Sequence, residues 1–284
     1  MELVFTTRES AKMRSGFGGK QGSISGRSVG KQDLVDRASS KRSLIRAIGG
    51  SDIITWIDAT STSNTIGSNL SDSTIDVVEG TSPTVGSNPP STEFSSVLNT
   101  TAYSFQLNEN LIYAIQLIPA NTDKITVVSR FCITGAFGAA NIVWELGDLG
   151  YAEVNGGAVH GTIDSTGDKF WAGIGDKSGA QDSFFLSTLA PTSNTEYVYV
   201  TTHDTEATPD ALTQHLNGES LTAAGASDLT NDADYDFDRT DQAYVGARGT
   251  GASLPLNGHI SDLFIITRKL TDSEASRLSQ ALSS

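Results

Sequence analysis

Four aspartates at alternate positions form the densest acidic run of the chain: Asp232, Asp234, Asp236 and Asp238. Alternate residues of a strand share one face, so these carboxylates would line one surface and offer oxygen ligands to a hard cation such as Ca²⁺. An EF-hand loop is excluded, because its sixth and twelfth positions would be Phe237 and Ala243 instead of Gly and Glu. A solvated acidic loop explains the run equally well. Ca²⁺ is therefore the one cofactor that the sequence leaves open.

Residue types that serve catalysis are present, but their spacing predicts no active site. Glycoside hydrolases need two carboxylates about 5–10 Å apart, and the nearest pair, Glu145 and Asp148, lies where a strand is expected to enter a turn. Cys132 lies in an apolar run and is expected to be a small buried residue. No Ser or Cys can be named as a nucleophile, and we predict that the chain is not an enzyme.

The histidines and tryptophans also favour structural roles. The four histidines are His160, His203, His215 and His259. None has a metal-ligand spacing, and we expect surface or turn positions, with His203 and His215 the two that a hairpin could bring together. Trp56, Trp144 and Trp171 lie in strand-like segments and are predicted to be core residues, whereas an exposed tryptophan in a groove would stack on a sugar ring.

The elements that would position these residues are mostly strands. Segments rich in branched and aromatic residues alternate with Gly, Ser, Thr, Asn and Asp, which is typical of an all-β sandwich. The predicted strands cover residues 53–59, 74–78, 103–107, 112–117, 124–133, 141–146, 170–175, 183–189, 196–202, 212–216, 242–247 and 258–267. Thr271 and Glu274 have capping-box spacing, which predicts a short helix over Asp272–Leu282.

Positive charge is concentrated near the start of the chain, and the rest of the chain is acidic. The net charge is −14, yet residues 1–46 hold ten Lys or Arg against four Asp or Glu. Residues 15–23 have the Gly- and Ser-rich composition of a flexible segment. We therefore predict two parts, a basic anchoring arm over residues 1–50 and a folded domain over residues 51–284.

The arm is predicted to bind a partner. Its predicted contact residues are Phe5, Arg8, Lys12, Arg14, Phe17, Lys20, Arg27, Lys31 and Arg37. An acidic protein surface suits this set better than nucleic acid, because apolar anchors accompany the charges. No apolar run is long enough to span a membrane, and the first residues lack the pattern of a signal peptide.

Four segments, in order, resemble the concanavalin A-like (LamG-like) jelly-roll family. They are the Trp-x-Asp-Ala opening at Trp56, the strand over residues 196–202, the Asn217-Gly218 hairpin, and the closing strand and helix over residues 257–274. The resemblance covers roughly residues 52–284. It implies an all-β, two-sheet antiparallel jelly-roll sandwich (concanavalin A-like) with an extended N-terminal arm and a short C-terminal helix.

The opening motif and the closing segment from Arg268 to Asp272 resemble those of bacteriophage structural proteins. This resemblance implies a virion structural protein assembled in the host cytoplasm. We expect a capsid decoration or cement protein whose arm binds other virion proteins, above all the major capsid protein, with self-association in the particle. The alternatives are a tail or fibre protein, a carbohydrate-binding module that recognises host surface glycans, and a glycan hydrolase of the same fold.

Overall fold

The computed structural model divides the chain into two compact units, Met1–Ala38 and Ser39–Ser284. The described residues are 31–60, 77–86, 88–106, 109–113, 116–135, 140–147, 157–163, 169–175, 182–207, 212–227, 237, 242–248 and 254–283. Only the backbone is described at residues 31–39, 163, 182–183 and 224–227. In the first unit the described backbone, residues 31–38, is helical.

Strands are the main regular element among the described residues of the second unit. The helices are α1 (Lys31–Gly49) and α2 (Asp272–Leu282), and a 3-10 turn (Gly50–Asp52) follows α1. In chain order the strands are β1 (Ile53–Asp58), β2 (Glu79–Gly80), β3 (Thr84–Val85), β4 (Ser91–Ser95), β5 (Thr100–Phe105), β6 (Leu111–Tyr113), β7 (Lys124–Ile133), β8 (Asn141–Leu146), β9 (Gly157–Ile163), β10 (Lys169–Gly175), β11 (Asp182–Ser187), β12 (Glu196–Asp204), β13 (Thr213–Leu216), β14 (Glu219–Ser220), β15 (Ala223–Ser227), β16 (Ala243–Val245) and β17 (Gly258–Ile266).

Two antiparallel sheets form the sandwich. The first sheet has the order β14-β13-β12-β7-β17-β1-β2, with β5 paired to β17 and β4 paired to β5. The second sheet has the order β15-β11-β10-β9-β8-β16-β6-β3. Some neighbouring strands follow one another in the chain, as β8 to β11 do, whereas β17 lies between β1 and β7 and joins the two ends of the domain in one sheet. This confirms the predicted all-β jelly-roll sandwich with a short C-terminal helix.

Strand alternation separates two apolar clusters. Along β12, Tyr197 and Tyr199 join the core between the sheets, whereas Val198 and Val200 face the outer side of the first sheet. Because side chains of a strand point to alternate faces, every strand of the first sheet can serve both clusters. The first sheet is therefore covered on both faces.

Residues 39–49 of α1 and helix α2 cover the outer face of the first sheet. Ile45 and Ile48 of α1 pack in one cluster with Trp56 and Phe264, and Leu278 of α2 joins them. The Trp56 and Phe264 rings lie 5.9 Å apart. Helix α2 begins at the predicted capping box, in which the Thr271 side chain accepts from the backbone N–H of Glu274 and the Glu274 side chain accepts in return. We call residues 39–49, the part of α1 inside the second unit, the seated segment.

Several predicted elements match the structure closely, and others were missed. Residues 124–133 and 141–146 are strands β7 and β8, and the predicted helix is α2. Sequence reasoning missed β4, β9 and β15, and predicted residues 74–76 lie outside the described part of the chain. Strand β9 has the sequence Gly-Ala-Val-His-Gly-Thr-Ile, and its local pattern does not indicate a strand because glycine is depleted in strands. Gly161 is needed there because a Cβ would lie 2.3 Å from the Asn141 carbonyl oxygen.

The boundary of the second unit differs from the predicted division at residue 50. The compact unit begins at Ser39, so the seated segment and the 3-10 turn belong with the sandwich. The apolar spacing of Ile45 and Ile48 on one helix face explains the difference, because both side chains are buried against the sheet.

Candidate functional site

Two buried carboxylates lie beneath the seated segment. Asp58 ends β1 and Asp262 lies opposite it on β17, and both side chains are 1% exposed. Lys41 Nζ lies 2.8 Å from Asp262 Oδ1 and 3.6 Å from Asp58 Oδ2, and Arg42 Nη2 lies 3.1 Å from the same Asp58 oxygen. We call these four residues the helix seat, because they join α1 to the first sheet by buried charge pairs.

The charges of the helix seat stabilise one another. Burial alone would lower the pKa of Lys41, but the carboxylates of Asp262 and Asp58 outweigh it and raise this pKa above its usual value. Burial alone would raise the pKa of Asp58, but Lys41, two hydrogen bonds from Thr60 and Arg42 together lower it. Lys41 and Asp58 are therefore charged at neutral pH, and removing the partner of either group is expected to destabilise the fold.

The residues that carry the family resemblance build this seat. In the opening motif, Trp56 packs under the helices, and Asp58 accepts a hydrogen bond from Arg42 and forms an ion pair with Lys41. In the closing motif, Arg268 donates to the Ile48 carbonyl oxygen at the end of α1, and its Nη2 lies 2.8 Å from Glu274 Oε1. Arg268 thereby links both helices to the sheet.

Removing the seated segment is expected to destabilise the sandwich far more than removing the sequence before it. A chain of residues 39–284 should keep the unfolding free energy of the full chain, whereas residues 51–284 should lose more than about 3 kcal/mol, because Asp58 and Asp262 become unpaired and an apolar surface is exposed. Urea titration followed by tryptophan fluorescence measures both values. Lys41→Gln in the full chain is the matched point variant and should also lower stability. Equal unfolding free energies of the two truncated chains would contradict the stabilising role of the helix seat.

A second polar arrangement lies inside the sandwich, between the sheets. His160 of β9 reaches across to the first sheet, where its Nε2 lies 2.7 Å from Ser129 Oγ and its Nδ1 lies 2.9 Å from Thr201 Oγ1. Its ring packs against Tyr199 with centroids 4.3 Å apart. Burial lowers the pKa of His160 well below its usual value, so the imidazole is neutral and bridges two hydroxyls.

The prediction that the histidines occupy the surface or turns is wrong for three of them. His160, His203 and His215 are 0–1% exposed and lie on strands β9, β12 and β13. His203 and His215 do not converge, because they lie on opposite faces of the first sheet. His215 pairs in register with Val200 and contacts Asp272 of α2, whereas His203 packs edge-on against Phe237. Sequence reasoning missed this because an isolated histidine in a strand carries no mark of burial.

His259 of β17 lies between two side chains of β4, the Ser95 hydroxyl and the Glu93 carboxylate, and close to the Cys132 thiol of β7. His259 Nδ1 lies 3.4 Å from Ser95 Oγ and 3.6 Å from Cys132 Sγ, and its Nε2 lies 2.5 Å from Glu93 Oε1. The hydrogen bond from His259 is the main cause that lowers the pKa of Glu93. Ser95 and Cys132 are 1% and 0% exposed, and Ser95 Oγ also accepts from the Leu98 N–H.

This arrangement serves packing better than catalysis. A nucleophile must reach its substrate as well as its base, and both candidates here are covered. Burial is the main cause that raises the pKa of the Cys132 thiol, which opposes formation of the reactive thiolate. The predicted burial of Cys132 is confirmed.

The outer face of the second sheet carries an arginine between a carboxylate and an indole. Arg248 Nε lies 2.8 Å from Glu145 Oε1, and the guanidinium carbon lies 5.9 Å from the centre of the Trp171 ring. Nη2 of Arg248 has no hydrogen-bond partner. Glu145 is thus a buried ion-pair partner, while Asp148 lies outside the described residues. Trp56, Trp144 and Trp171 are all buried, which confirms their predicted core role.

The predicted metal and arm residues cannot be placed by this structure. Asp232, Asp234, Asp236 and Asp238 lie outside the described residues, as do Phe5, Arg8, Lys12, Arg14, Phe17, Lys20 and Arg27. Lys31 and Arg37 lie in α1, where only the backbone is described. Within the described part of the chain, no three His, Cys, Asp or Glu side chains come together as a metal site. Neither described helix is long and apolar enough to cross a membrane.

Acid is expected to destabilise the sandwich through its interior histidines. Burial lowers the pKa of His203 to about 3, whereas an unfolded histidine has a pKa of about 6.5. Between these two pH values, His203 binds a proton in the unfolded chain but stays neutral in the folded chain. The free energy of unfolding therefore falls by about 1 kcal/mol per pH unit as the pH drops below 6.5. His203→Phe should flatten this slope by that amount in urea titrations at pH 4.5 to 6.5. Above pH 7 the unaltered chain and His203→Phe should show the same dependence of unfolding free energy on pH. An unchanged slope in His203→Phe at low pH would show that His203 is not the cause of the acid sensitivity.

No family model and no curated protein sequence matches the chain. Solved structures match it by shape. The receptor-binding domain of botulinum neurotoxin C/D mosaic serotype has 11% identity and a TM-score of 0.53, over 81% of this chain and 51% of that one. Domain 4 of AbnA, a GH43 extracellular arabinanase from Geobacillus stearothermophilus solved with arabinotriose, has 11% identity and a TM-score of 0.51, over 81% of this chain and 98% of that one.

Other matches are weaker or partial. The CBM40 of Ruminococcus gnavus IT-sialidase, bound to alpha2,3 sialyllactose, has 14% identity over 56% of this chain and 83% of that one, and its TM-score of 0.43 is too low to carry an argument. This chain spans 27%, 38% and 51% of the lengths of the first three solved structures that it matches. At these identities the likeness shows the fold alone, which is a β-sandwich jelly roll.

Proposed function

We propose that the chain is a virion structural protein, a capsid decoration or cement protein whose N-terminal segment binds neighbouring subunits while its sandwich is displayed. The helix seat is the observation that carries this proposal. Lys41, Arg42 and Arg46 are paired with Asp58, Asp262 and Glu79 of their own unit. Of the ten Lys and Arg in residues 1–46, the seven that remain for a partner therefore lie before the seat.

The predicted partner-binding residues all precede Ser39, where the sandwich unit begins. Residues 1–38 hold seven Lys or Arg and four Asp or Glu, whereas the rest of the chain holds twelve against twenty-nine. A basic segment joined to an acidic domain suits an acidic binding surface on a neighbouring subunit, because complementary charge steers and orients association.

The assignment to a virus particle is the most specific part of the proposal. It rests on the resemblance of the opening and closing motifs to those of bacteriophage structural proteins. The buried positions of Ser95 and Cys132 beside His259 favour a non-catalytic role for the described residues. Many weak arm contacts, repeated over a lattice, would add up to stable attachment.

Binding to particles assembled without the chain tests this function. The full chain should co-sediment with such particles, whereas residues 39–284 should stay in the supernatant. Replacing Arg8, Lys12 and Arg14 by Gln in the full chain should weaken binding at least about tenfold, since exposed charge pairs contribute about 0.5–1 kcal/mol each. The matched control replaces Lys124, Lys169 and Lys269 of the sandwich by Gln and should bind normally. If residues 39–284 co-sedimented as well as the full chain, the predicted anchoring role of the N-terminal segment would be refuted.

A second candidate function is glycan binding, and the structural likeness to a sugar-bound domain favours it. On the outer face of the second sheet, Arg248 and Trp171 are the groups that a carboxylated sugar would pair with. Since Nη2 of Arg248 and the Trp171 ring are buried, the side chains that cover them must first move aside. The Geobacillus stearothermophilus domain, which this chain matches over 98% of that domain, was solved with arabinotriose. Tail or fibre proteins that bind host glycans would use such a face in the same way.

Calorimetric titration with alpha2,3 sialyllactose and with arabinotriose tests glycan binding. The carboxylated sugar should bind, and Arg248→Lys should weaken it about tenfold, because lysine keeps the charge near Glu145 but loses the guanidinium fork. Lys124→Gln removes a cation from the first sheet and serves as the control. If neither sugar gave a saturable heat of binding, glycan binding would be excluded as a candidate and the virion structural role would remain.

A further inference from the structure

Buried polar atoms without a hydrogen-bond partner collect in one layer between the sheets. They are Trp144 Nε1, Tyr199 Oη, both ring nitrogens of His203 and Oε1 of Gln214. Each of these four residues is at most 1% exposed. Most buried polar groups in folded proteins are hydrogen-bonded, so five unpartnered atoms in one layer require a physical explanation.

Strand register places these atoms around His160. Trp144 is its neighbour across β8 and β9, and the Tyr199 ring stacks on its imidazole. Thr201, which is hydrogen-bonded to His160, pairs in register with Gln214 of β13. His203 follows Thr201 by two residues on β12 and therefore lies on the same inward face. We call Trp144, His160, Tyr199, His203 and Gln214 the inter-sheet polar layer.

The layer offers matched donors and acceptors without charge. The Trp144 N–H only donates, and Gln214 Oε1 only accepts, while a neutral imidazole and a phenol each do both. Burial lowers the pKa of His203 to about 3 and raises the pKa of Tyr199 well above its usual value, so both side chains are neutral at physiological pH. An ion would meet no opposite charge here and would have to shed its hydration shell.

A metal ion is also a poor occupant. Both nitrogens of His160 are already engaged with Ser129 and Thr201. The inter-sheet polar layer adds only His203 as a further nitrogen ligand. A neutral hydroxyl group, in contrast, donates and accepts at once and therefore matches the unpartnered groups of Tyr199, His203 and Gln214.

We propose that the inter-sheet polar layer is a binding site for small uncharged molecules that carry hydroxyl groups, either water or a small polyol. The site lies inside the sandwich and is separate from the helix seat and from the Arg248 face. It is independent of the proposed particle and glycan functions. Its occupant completes the hydrogen bonds of Tyr199, His203 and Gln214.

The test compares the full chain, prepared without polyols, with two tyrosine variants. Tyr199→Phe removes only the unpartnered hydroxyl, whereas Tyr197→Phe removes a hydroxyl on the same strand that is already bonded to Thr192. Oxygen-17 magnetic relaxation dispersion counts the slowly exchanging internal waters of each protein. The full chain and Tyr197→Phe should hold the same number, and Tyr199→Phe should lose at least one. His203→Phe gives a second variant of the same layer should Tyr199→Phe fold poorly.

Titration with ethylene glycol distinguishes the two sources of the hydroxyl. A fall in the number of slow waters in the full chain, absent from Tyr199→Phe, assigns the site to a polyol. An unchanged number assigns it to water. Equal numbers of slow waters in the full chain and in the layer variants overturn the proposal. A rise in the melting temperature of Tyr199→Phe would accompany that result, because removing a dry, unsatisfied hydroxyl stabilises the fold.

Discussion

The buried charge pairs between α1 and the first sheet are the interaction on which the rest of the structure depends. Asp58 and Asp262 are buried on a sheet face that also carries the apolar Trp56, Val128 and Phe264, and a carboxylate buried there without a partner costs several kcal/mol. Lys41 supplies the partner only when α1 lies across the sheet. The helix then also covers Trp56 and Phe264, so charge pairing and apolar burial require the same arrangement.

The first sheet satisfies its polar groups differently on its two faces. On the outer face, ion pairs lie close to water, and Arg42 keeps a third of its side chain exposed. On the inner face, Ser129, His160 and Thr201 form neutral hydrogen bonds between the sheets. The difference follows from solvent access, because charge is tolerated near the rim of a covered face and is excluded from the centre of a sandwich.

The motifs that indicate the fold are therefore structural motifs. Trp56 and Asp58 hold α1, and Arg268 with Glu274 holds both helices. Their presence reports how the sheet is covered and carries no information about a substrate. Function must be sought in the basic sequence before Ser39 and on the Arg248 face, since many functions are built on one such fold.

The sequence alone determined the fold class, most strands and helix α2, because strand periodicity, Asn-Gly turns and a capping box are local signals. It also predicted buried tryptophans and a buried Cys132, as their apolar surroundings required. Only the tertiary structure decided that Lys41 and Arg42 serve their own domain, that β9 with its two glycines is a central strand, and that His160 bridges the sheets. These depend on residues such as Asp262, 221 positions from Lys41, and no local pattern records which distant side chain will lie opposite.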